Sequence, residues 1–343
     1  MKIKDWFYET KYPYVIAEVS QNHDGSLGQA HAFIDAVATT GADAIKFQTH
    51  IAEEESSEFE PFRVKFSYED NTRYDYWKRM EFTSEQWAGL YKHANEVGLE
   101  FLSSPFSYKA LKLLNNIGVE AWKFGAGEVF NEELIDAAIG TRKPIFISTG
   151  LSTYDDIEKI VEKVKRAGNH LILFQCVTAY PSRADMIDIS LVSDFKERYE
   201  CIVGISDHSS TVFPALSAVT LGAKAIEVHV TLSQYMFGPD VKASVSIDGL
   251  SEIVVGSRFI TDMLNCHTDL SVMDESRVKL KETFSKSLFA YYDIEKGEKV
   301  TGESIVAKKP GIGISSDCKN EVVGKTATRF ISKGELLKME DFE

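Results

Sequence analysis

The chain has 343 residues, 44% hydrophobic and 26% charged, enough to bury one large core and a smaller one, with the composition of an ordinary globular protein. Its formal net charge of -14 provides no basic field, which argues against nucleic acid or an anionic membrane as the partner of its surface at large. The opening segment MKIKDWFYETKYPYVIAEVS has no long uncharged apolar run, so neither a secretory leader nor a membrane span is expected. Cys176, Cys201, Cys266 and Cys318 are widely spaced with no CxxC pair, which suits reduced thiols and a cytoplasmic location.

Along the chain, short apolar β-branched runs alternate with amphipathic helical stretches. The strand-like runs are 14–20, 44–49, 100–104, 120–125, 144–149, 171–176, 201–206 and 225–230, and helical patterns such as 27–42 and 154–168 follow them. Near-continuous apolar strands separated by helices imply a parallel sheet buried on both faces. Eight such units predict a closed (β/α)8 barrel, the TIM-barrel architecture. A doubly wound open sheet is the rival, but no GxGxxG turn follows the first strand.

Function in such a barrel gathers at the C-terminal ends of the strands, and here those ends are unusually polar. They carry Glu18 with Asn22 and His23, Lys46 and Gln48, Ser103 and Ser104, Lys123 and Glu128, Ser148 and Thr149, Thr178 and Tyr180, then Asp207, His208, Glu227 and His229. Any one of them alone reads as a solvated rim residue. Their convergence does not, because unpaired buried charge is costly. His208 and His229 could share a divalent metal or form a hydrogen-bonded core pair, and two histidines do not decide between these. Lys46 and Lys123, with the hydroxyls of Ser104 and Ser148, suit a bound phosphate or carboxylate. Glu18, Glu128 and Tyr180 are acid–base or hydroxyl-binding candidates.

A different texture begins at 284, after a polar linker and helix over 266–283. The remaining segment, 284–343, has two related halves, each with a K-G-E turn, Lys296–Glu298 and Lys333–Glu335. It reads as a small β-rich domain following a barrel domain of 1–265.

The runs IAEVSQNHDG (16–25), GADAIKFQT (41–49), FLSSPF (101–106), KFGAGE (123–128), ISTG (147–150), SDHS (206–209), IEVHVT (226–231) and GPDVKAS (238–244) resemble, in order and spacing, the sialic acid (N-acetylneuraminate) synthase family. The tail resembles the antifreeze-like, or SAF, domain that ends those synthases. The resemblance implies a synthase that condenses phosphoenolpyruvate with an N-acetylmannosamine-like aldose, giving a nine-carbon 2-keto-3-deoxy sugar acid and phosphate. It implies a divalent metal, manganese in the family with magnesium or another divalent ion as alternatives, on His208 and His229. Lys46, Ser104, Lys123, Ser148, Thr178 and Ser206 fall on the family's phosphoenolpyruvate positions. Glu18, Glu128 and Tyr180 fall on catalytic positions, and Gln48 and Asp240 on sugar-binding ones. The family places its tail over a partner's barrel mouth, implying a domain-swapped homodimer in which Lys308 or Lys309 faces the sugar.

Departures accompany the matches. Ala126 stands where the family often has serine, Thr178 where asparagine is common, and Val241 where histidine is usual. The loop KKPGIGI carries Lys308 and Lys309 where the family has an arginine, and lysine cannot reproduce the planar guanidinium fork. These changes leave the reaction class and open the identity of the sugar. Two alternatives remain: a barrel that binds sugar or anion without catalysis, and a synthase for a shorter aldose. Retention of both histidines, both lysines, Glu18 and Glu128 speaks against the first, and the tail against the second.

Overall fold

The structure, a computed structural model, describes residues 3–343, the Lys4 side chain excepted. Met1 and Lys2, which open the expected barrel domain, lie outside the described residues. The strand runs form β1 (Tyr14–Ser20), β2 (Ala44–Thr49), β3 (Glu100–Pro105), β4 (Trp122–Phe124), β5 (Ile145–Ser148), β6 (Leu171–Cys176), β7 (Ile202–Asp207) and β8 (Ala225–Thr231). They lie parallel in the order β3-β2-β1-β8-β7-β6-β5-β4. The two end strands, β3 and β4, are consecutive in the chain and adjoin each other, so the sheet curls into the expected eight-stranded barrel. β4 is shorter than the 120–125 run: its ladder covers only Trp122–Phe124.

Helix α1 (Ile3–Glu9) precedes the barrel, and its Trp6 and Phe7 pack on Tyr14 and Phe146 at the N-terminal end of the strands. The helices after the strands are α2 (Leu27–Ala38), α3 (Ala52–Glu55), α4 (Arg73–Met80), α5 (Ser84–Glu96), α6 (Tyr108–Ile117), α7 (Glu132–Gly140), α8 (Tyr154–Ala167), α9 (Leu191–Tyr199), α10 (Phe213–Thr220) and α11 (Ile247–Leu264). Helix α8 shows the local logic. Thr153 and Asp156 form a capping box, Ile157, Ile160, Val161 and Val164 make the buried stripe, and Gly168 at φ +78° ends it. Helix α2 stops before the expected residue 42, because the Thr39 and Thr40 hydroxyls turn back onto the carbonyls of Ala36 and Val37.

Between β2 and α5 the chain departs from one strand, one helix. Residues 51–83 form an excursion containing α3 and α4, held by its own aromatic cluster of Phe62, Phe66, Tyr74, Tyr76 and Trp77. Arg79 ties it to the loop after β1, bonding Asp24 at 2.7 Å and Asp70 at 2.9 Å. Gly25 is required there: at φ +71°, a Cβ would stand 2.3 Å from the Arg79 carbonyl oxygen.

The chain divides into two compact units, 1–266 and 267–343. The second begins with α12 (Glu275–Phe284), capped by Asp274, and contains a small antiparallel pair, here β9 (Ser287–Ala290) and β10 (Ile305–Lys308). Its core is separate, built on Leu288, Ile294, Ile305, Val322, Ile331 and Leu337. The two K-G-E turns are equivalent in detail. Gly297 and Gly334 have φ of +83° and +84°, and the Glu298 and Glu335 side chains accept from the backbone N–H of Glu295 and Ser332. Among the described residues no helix is long and apolar enough to cross a membrane.

Candidate active site

Alternation along each strand sorts the barrel interior into two layers, since side chains two apart share a face. The lower layer is apolar: Tyr14, Ile16, Ala44, Leu102, Ala121, Phe146, Ile172, Phe174 and Ala225 form one buried cluster. Gly204 belongs to this layer; a Cβ there would sit 2.6 Å from the Ala225 carbonyl oxygen and 2.9 Å from the Phe174 ring. Two residues further along the same strands, the inward positions turn polar: Glu18, Lys46, Ser104, Lys123, Ser148, Cys176, Ser206 and Glu227, with Gln48, His208 and His229 above them. These residues line a pocket of about 550 Å³ at the C-terminal end of the barrel. The same parity excludes part of the expected rim. Ser103 bonds Thr49 at 2.7 Å, Thr149 bonds the Phe174 carbonyl, and Asp207 accepts from Ser209, each outside the pocket. Asn22 secures Val230 and Ser244, and His23 packs on Phe82, so both are structural.

The pocket floor is a buried ladder of alternating charge. Lys46 Nζ stands 2.7 Å from Glu18 and 3.6 Å from Glu227, and Lys123 Nζ stands 3.4 Å from Glu227. Each lysine also donates to a serine hydroxyl, Lys46 to Ser104 at 3.1 Å and Lys123 to Ser148 at 2.7 Å. Ser206 lies 3.5 Å from Glu227. Burial pushes the Lys123 ammonium below its usual range, offset only in part by Glu227. Burial likewise raises Glu18 against the opposing pull of Lys46. For Glu227, burial is outweighed by Lys123 and Lys46, which hold its carboxyl below the usual range.

The two histidines meet at this floor, ring centroids 4.9 Å apart and nearly perpendicular. His208 Nδ1 lies 2.9 Å from the Val177 carbonyl oxygen. A carbonyl only accepts, so Nδ1 carries the hydrogen and Nε2 keeps its lone pair. His229 Nδ1 is buried with no hydrogen-bond partner. Both rings are pushed down to about 3, His208 by burial and then His229, His229 by burial and then Lys46, so both are neutral at neutral pH. Among the described residues no group of three or more His, Cys, Asp or Glu forms a cage for a metal ion. Neutral rings with free or unpartnered nitrogens nevertheless fit a cation that draws its other ligands from water and substrate.

Toward the mouth, the Tyr180 ring packs at 41° to His208, centroids 4.1 Å apart, and burial holds its phenol protonated. Burial also raises Glu128, opposed by a hydrogen bond from Asn131. Thr178 and Asp240 complete the expected lining. Lys308 and Lys309 belong to the second unit, where Lys308 ends β10 and the Lys309 ammonium lies 5.0 Å from the Phe284 ring centroid.

Several pocket residues escaped the sequence reading. Arg63 bonds Asp240 at 2.9 Å and lies over the Tyr180 ring, 4.0 Å from its centroid. Ser20 donates to the other Asp240 oxygen at 2.6 Å. Both Asp240 oxygens are therefore held, each with a lone pair left to accept from a further donor, although the neighbouring Val241 is apolar and buried. The His50 ring and Gln21 join Gln48. Residues 57–67 lack any periodicity; the density of aromatics from Phe59 to Trp77 was the available signal.

The NeuB family model matches residues 33–268, and the SAF domain model matches 285–343. The chain belongs to the NeuB family. It is 32% identical over 341 residues to a pseudaminic acid synthase of Campylobacter jejuni, covering 98% of each chain. It is 30% identical over 330 residues to that species' N,N'-diacetyllegionaminic acid synthase, covering 94% of this chain and 98% of the relative. Among solved structures, an N-acetylneuraminic acid synthetase from Leptospira borgpetersenii in complex with citrate superposes with a TM-score of 0.70 at 29% identity, over 79% of this chain and 91% of the other. This NeuB-family chain thus groups with synthases of nonulosonic acids.

Proposed function

We propose that the protein condenses phosphoenolpyruvate with an N-acetylmannosamine-like aldose, yielding a nine-carbon 2-keto-3-deoxy sugar acid and inorganic phosphate. The observation that carries the proposal is the paired lysine–serine cradle. Two buried ammonium groups, each hydrogen-bonded to a hydroxyl, sit on the barrel floor beside two neutral imidazoles. The relatives' activities, syntheses of pseudaminic, legionaminic and N-acetylneuraminic acids, support the same reading.

In this account Lys46 and Lys123, with Ser104, Ser148, Thr178 and Ser206, bind the phosphate and carboxylate of phosphoenolpyruvate and fix its C3 toward the mouth. C3 forms a bond to the aldehyde carbon of the open-chain sugar, whose oxygen takes up a proton. Water adds at C2, its proton leaves, and the tetrahedral intermediate expels phosphate by cleavage of the C2–O bond. His208 and His229 would hold a divalent cation, manganese as in the family, which would supply Lewis-acid polarisation of the aldehyde. Glu18 and Glu128, both raised by burial, are suited to exchanging protons with the aldehyde oxygen and the attacking water. Tyr180, protonated, donates a hydrogen bond, while Gln48 and Asp240 hold sugar hydroxyls. In a two-fold dimer, Lys308 or Lys309 of each tail would face the sugar in the other subunit. The four unpaired cysteines suit work in the cytoplasm.

The route of phosphate loss gives the test. Phosphoenolpyruvate labelled with oxygen-18 at the bridging oxygen should deliver the label to inorganic phosphate, with a product whose mass equals aldose plus pyruvate. Label retained in the keto acid would mean cleavage at phosphorus and would refute this mechanism.

A further inference from the structure

His50 lies immediately past β2, on the pocket wall beside Gln48, and has no part in the proposed chemistry. Its ring is clamped between Trp77, at 3.9 Å and 19°, and Phe106, at 4.4 Å and 18°. Its nitrogens are both engaged. Nδ1 lies 2.6 Å from Glu55 Oε1, and Nε2 lies 3.2 Å from Gln48 Oε1. Gln48 in turn donates from Nε2 to Glu18 Oε1 at 2.8 Å. A second donor, Gln21 Nε2, reaches the same Gln48 oxygen at 3.3 Å, and Tyr76 holds Gln21 through a 3.0 Å bond.

These contacts determine the hydrogens. Glu18, ion-paired to Lys46 through its other oxygen, accepts from the Gln48 NH2, and Gln21 donates to the Gln48 carbonyl, so that carbonyl is the atom turned toward His50. The His50 Nε2 must then carry hydrogen. The short Nδ1–Glu55 contact needs one more hydrogen, shared between ring and carboxyl, which leaves the His50–Glu55 pair neutral overall. Reversing the Gln48 amide would set its carbonyl against the Glu18 carboxyl oxygen and its NH2 against the Gln21 NH2.

We propose that His50, held by Glu55 and the Trp77–Phe106 clamp, is a positioning residue that fixes the Gln48 amide and through it the pocket face of Glu18. The excursion over 51–83 supplies Glu55 and Trp77, so its ordering is coupled to the pocket floor. The inference rests on the synthase reading, in which Gln48 holds the sugar. It predicts an effect on the aldose and none on phosphoenolpyruvate.

Two substitutions separate positioning from packing. His50→Phe keeps an aromatic ring in the clamp and removes both donors. His50→Gln loses the stack but retains an NH2 that can reach Gln48. Positioning predicts that His50→Phe raises the aldose KM and lowers kcat, reducing kcat/KM about tenfold or more, the size of one lost buried hydrogen bond. The phosphoenolpyruvate KM should stay within about twofold, and His50→Gln should recover most of the loss. A packing role predicts the reverse order, with His50→Phe neutral and His50→Gln the worse variant; that result overturns the inference. Nitrogen-15 NMR of the wild-type histidine rings reads the same point without turnover. Hydrogen on His50 Nε2 is expected, and a bare Nε2 would contradict the proposal. If the wild type consumes phosphoenolpyruvate with no aldose, the synthase reading falls, while the NMR result still decides the orientation of His50.

Discussion

Removing Lys123 should damage stability and substrate binding by different routes, and the structure allows them to be separated. The ammonium lies 2.7 Å from Ser148 and 3.4 Å from Glu227, on a residue only 2% exposed at the pocket floor. In Lys123→Ala the Glu227 carboxylate keeps Lys46, at 3.6 Å, as its charged partner, with the Ser206 hydroxyl at 3.5 Å. Leaving a buried charge short of its partner costs about 3–5 kcal/mol, and the remaining lysine places this case near the lower end. That is a large part of the roughly 5–15 kcal/mol that stabilises a typical domain. The second loss is the charge-assisted contact to phosphoenolpyruvate, worth about 1.5–3 kcal/mol, or roughly 10- to 150-fold in its dissociation constant. Urea unfolding of the barrel and calorimetric titration with phosphoenolpyruvate would be compared for wild type, Lys123→Ala and Lys123→Ala/Glu227→Gln. The double variant should regain most of the stability, since the orphaned carboxylate is gone, and none of the affinity. A single variant as stable as the wild type, or a double variant that binds phosphoenolpyruvate normally, would refute the reasoning.

Three further outcomes are expected, two from the proposed function and one from the fold. His208→Ala and His229→Ala should each lose bound divalent metal, read by elemental analysis after dialysis, while thermal unfolding stays within a few degrees; full metal retention in either would remove that residue from the site. Lys308→Ala and Lys309→Ala should raise the aldose KM and leave the phosphoenolpyruvate KM unchanged, and unaltered aldose kinetics in both would exclude the tail lysines from the sugar. Asp43, which accepts from the Val15 N–H, is pushed up to about 6, chiefly by burial. The folded state therefore holds a proton that the unfolded chain releases near pH 4, and the stability this contributes is present below about pH 4 and lost as pH rises through 6. Asp43→Asn should flatten that fall, worth at most about 3 kcal/mol; an unchanged pH dependence of unfolding would show that the side chain is not desolvated.

The barrel was legible because its signal is periodic. Eight apolar runs between amphipathic helices left few alternatives, and β6 and β1 match their sequence bounds residue for residue. The pocket was legible where residues stand on strands. Glu18, Lys46, Lys123 and Ser148 share one inward parity, whereas Ser103, Thr149 and Asp207, each next to an inward residue, face outward through a one-residue step. Strand-end polarity alone could not make that distinction; register does. Arg63, Glu55 and Trp77, one side of the clamp around His50, were hidden because they come from the 51–83 excursion, whose contacts are made by aromatics and ion pairs without repeat spacing. The departure at Val241 also looked different in sequence: Arg63 and Ser20 engage Asp240 from other parts of the chain.

The most direct test of the central proposal is phosphate release from phosphoenolpyruvate across a panel of aldoses, with and without added manganese, in the full-length protein. The account predicts release that depends on both an N-acetylmannosamine-like aldose and a divalent cation, with one nine-carbon keto acid formed per phosphate. Tight binding of sugar or anion without release, or release only with shorter aldoses, would contradict it.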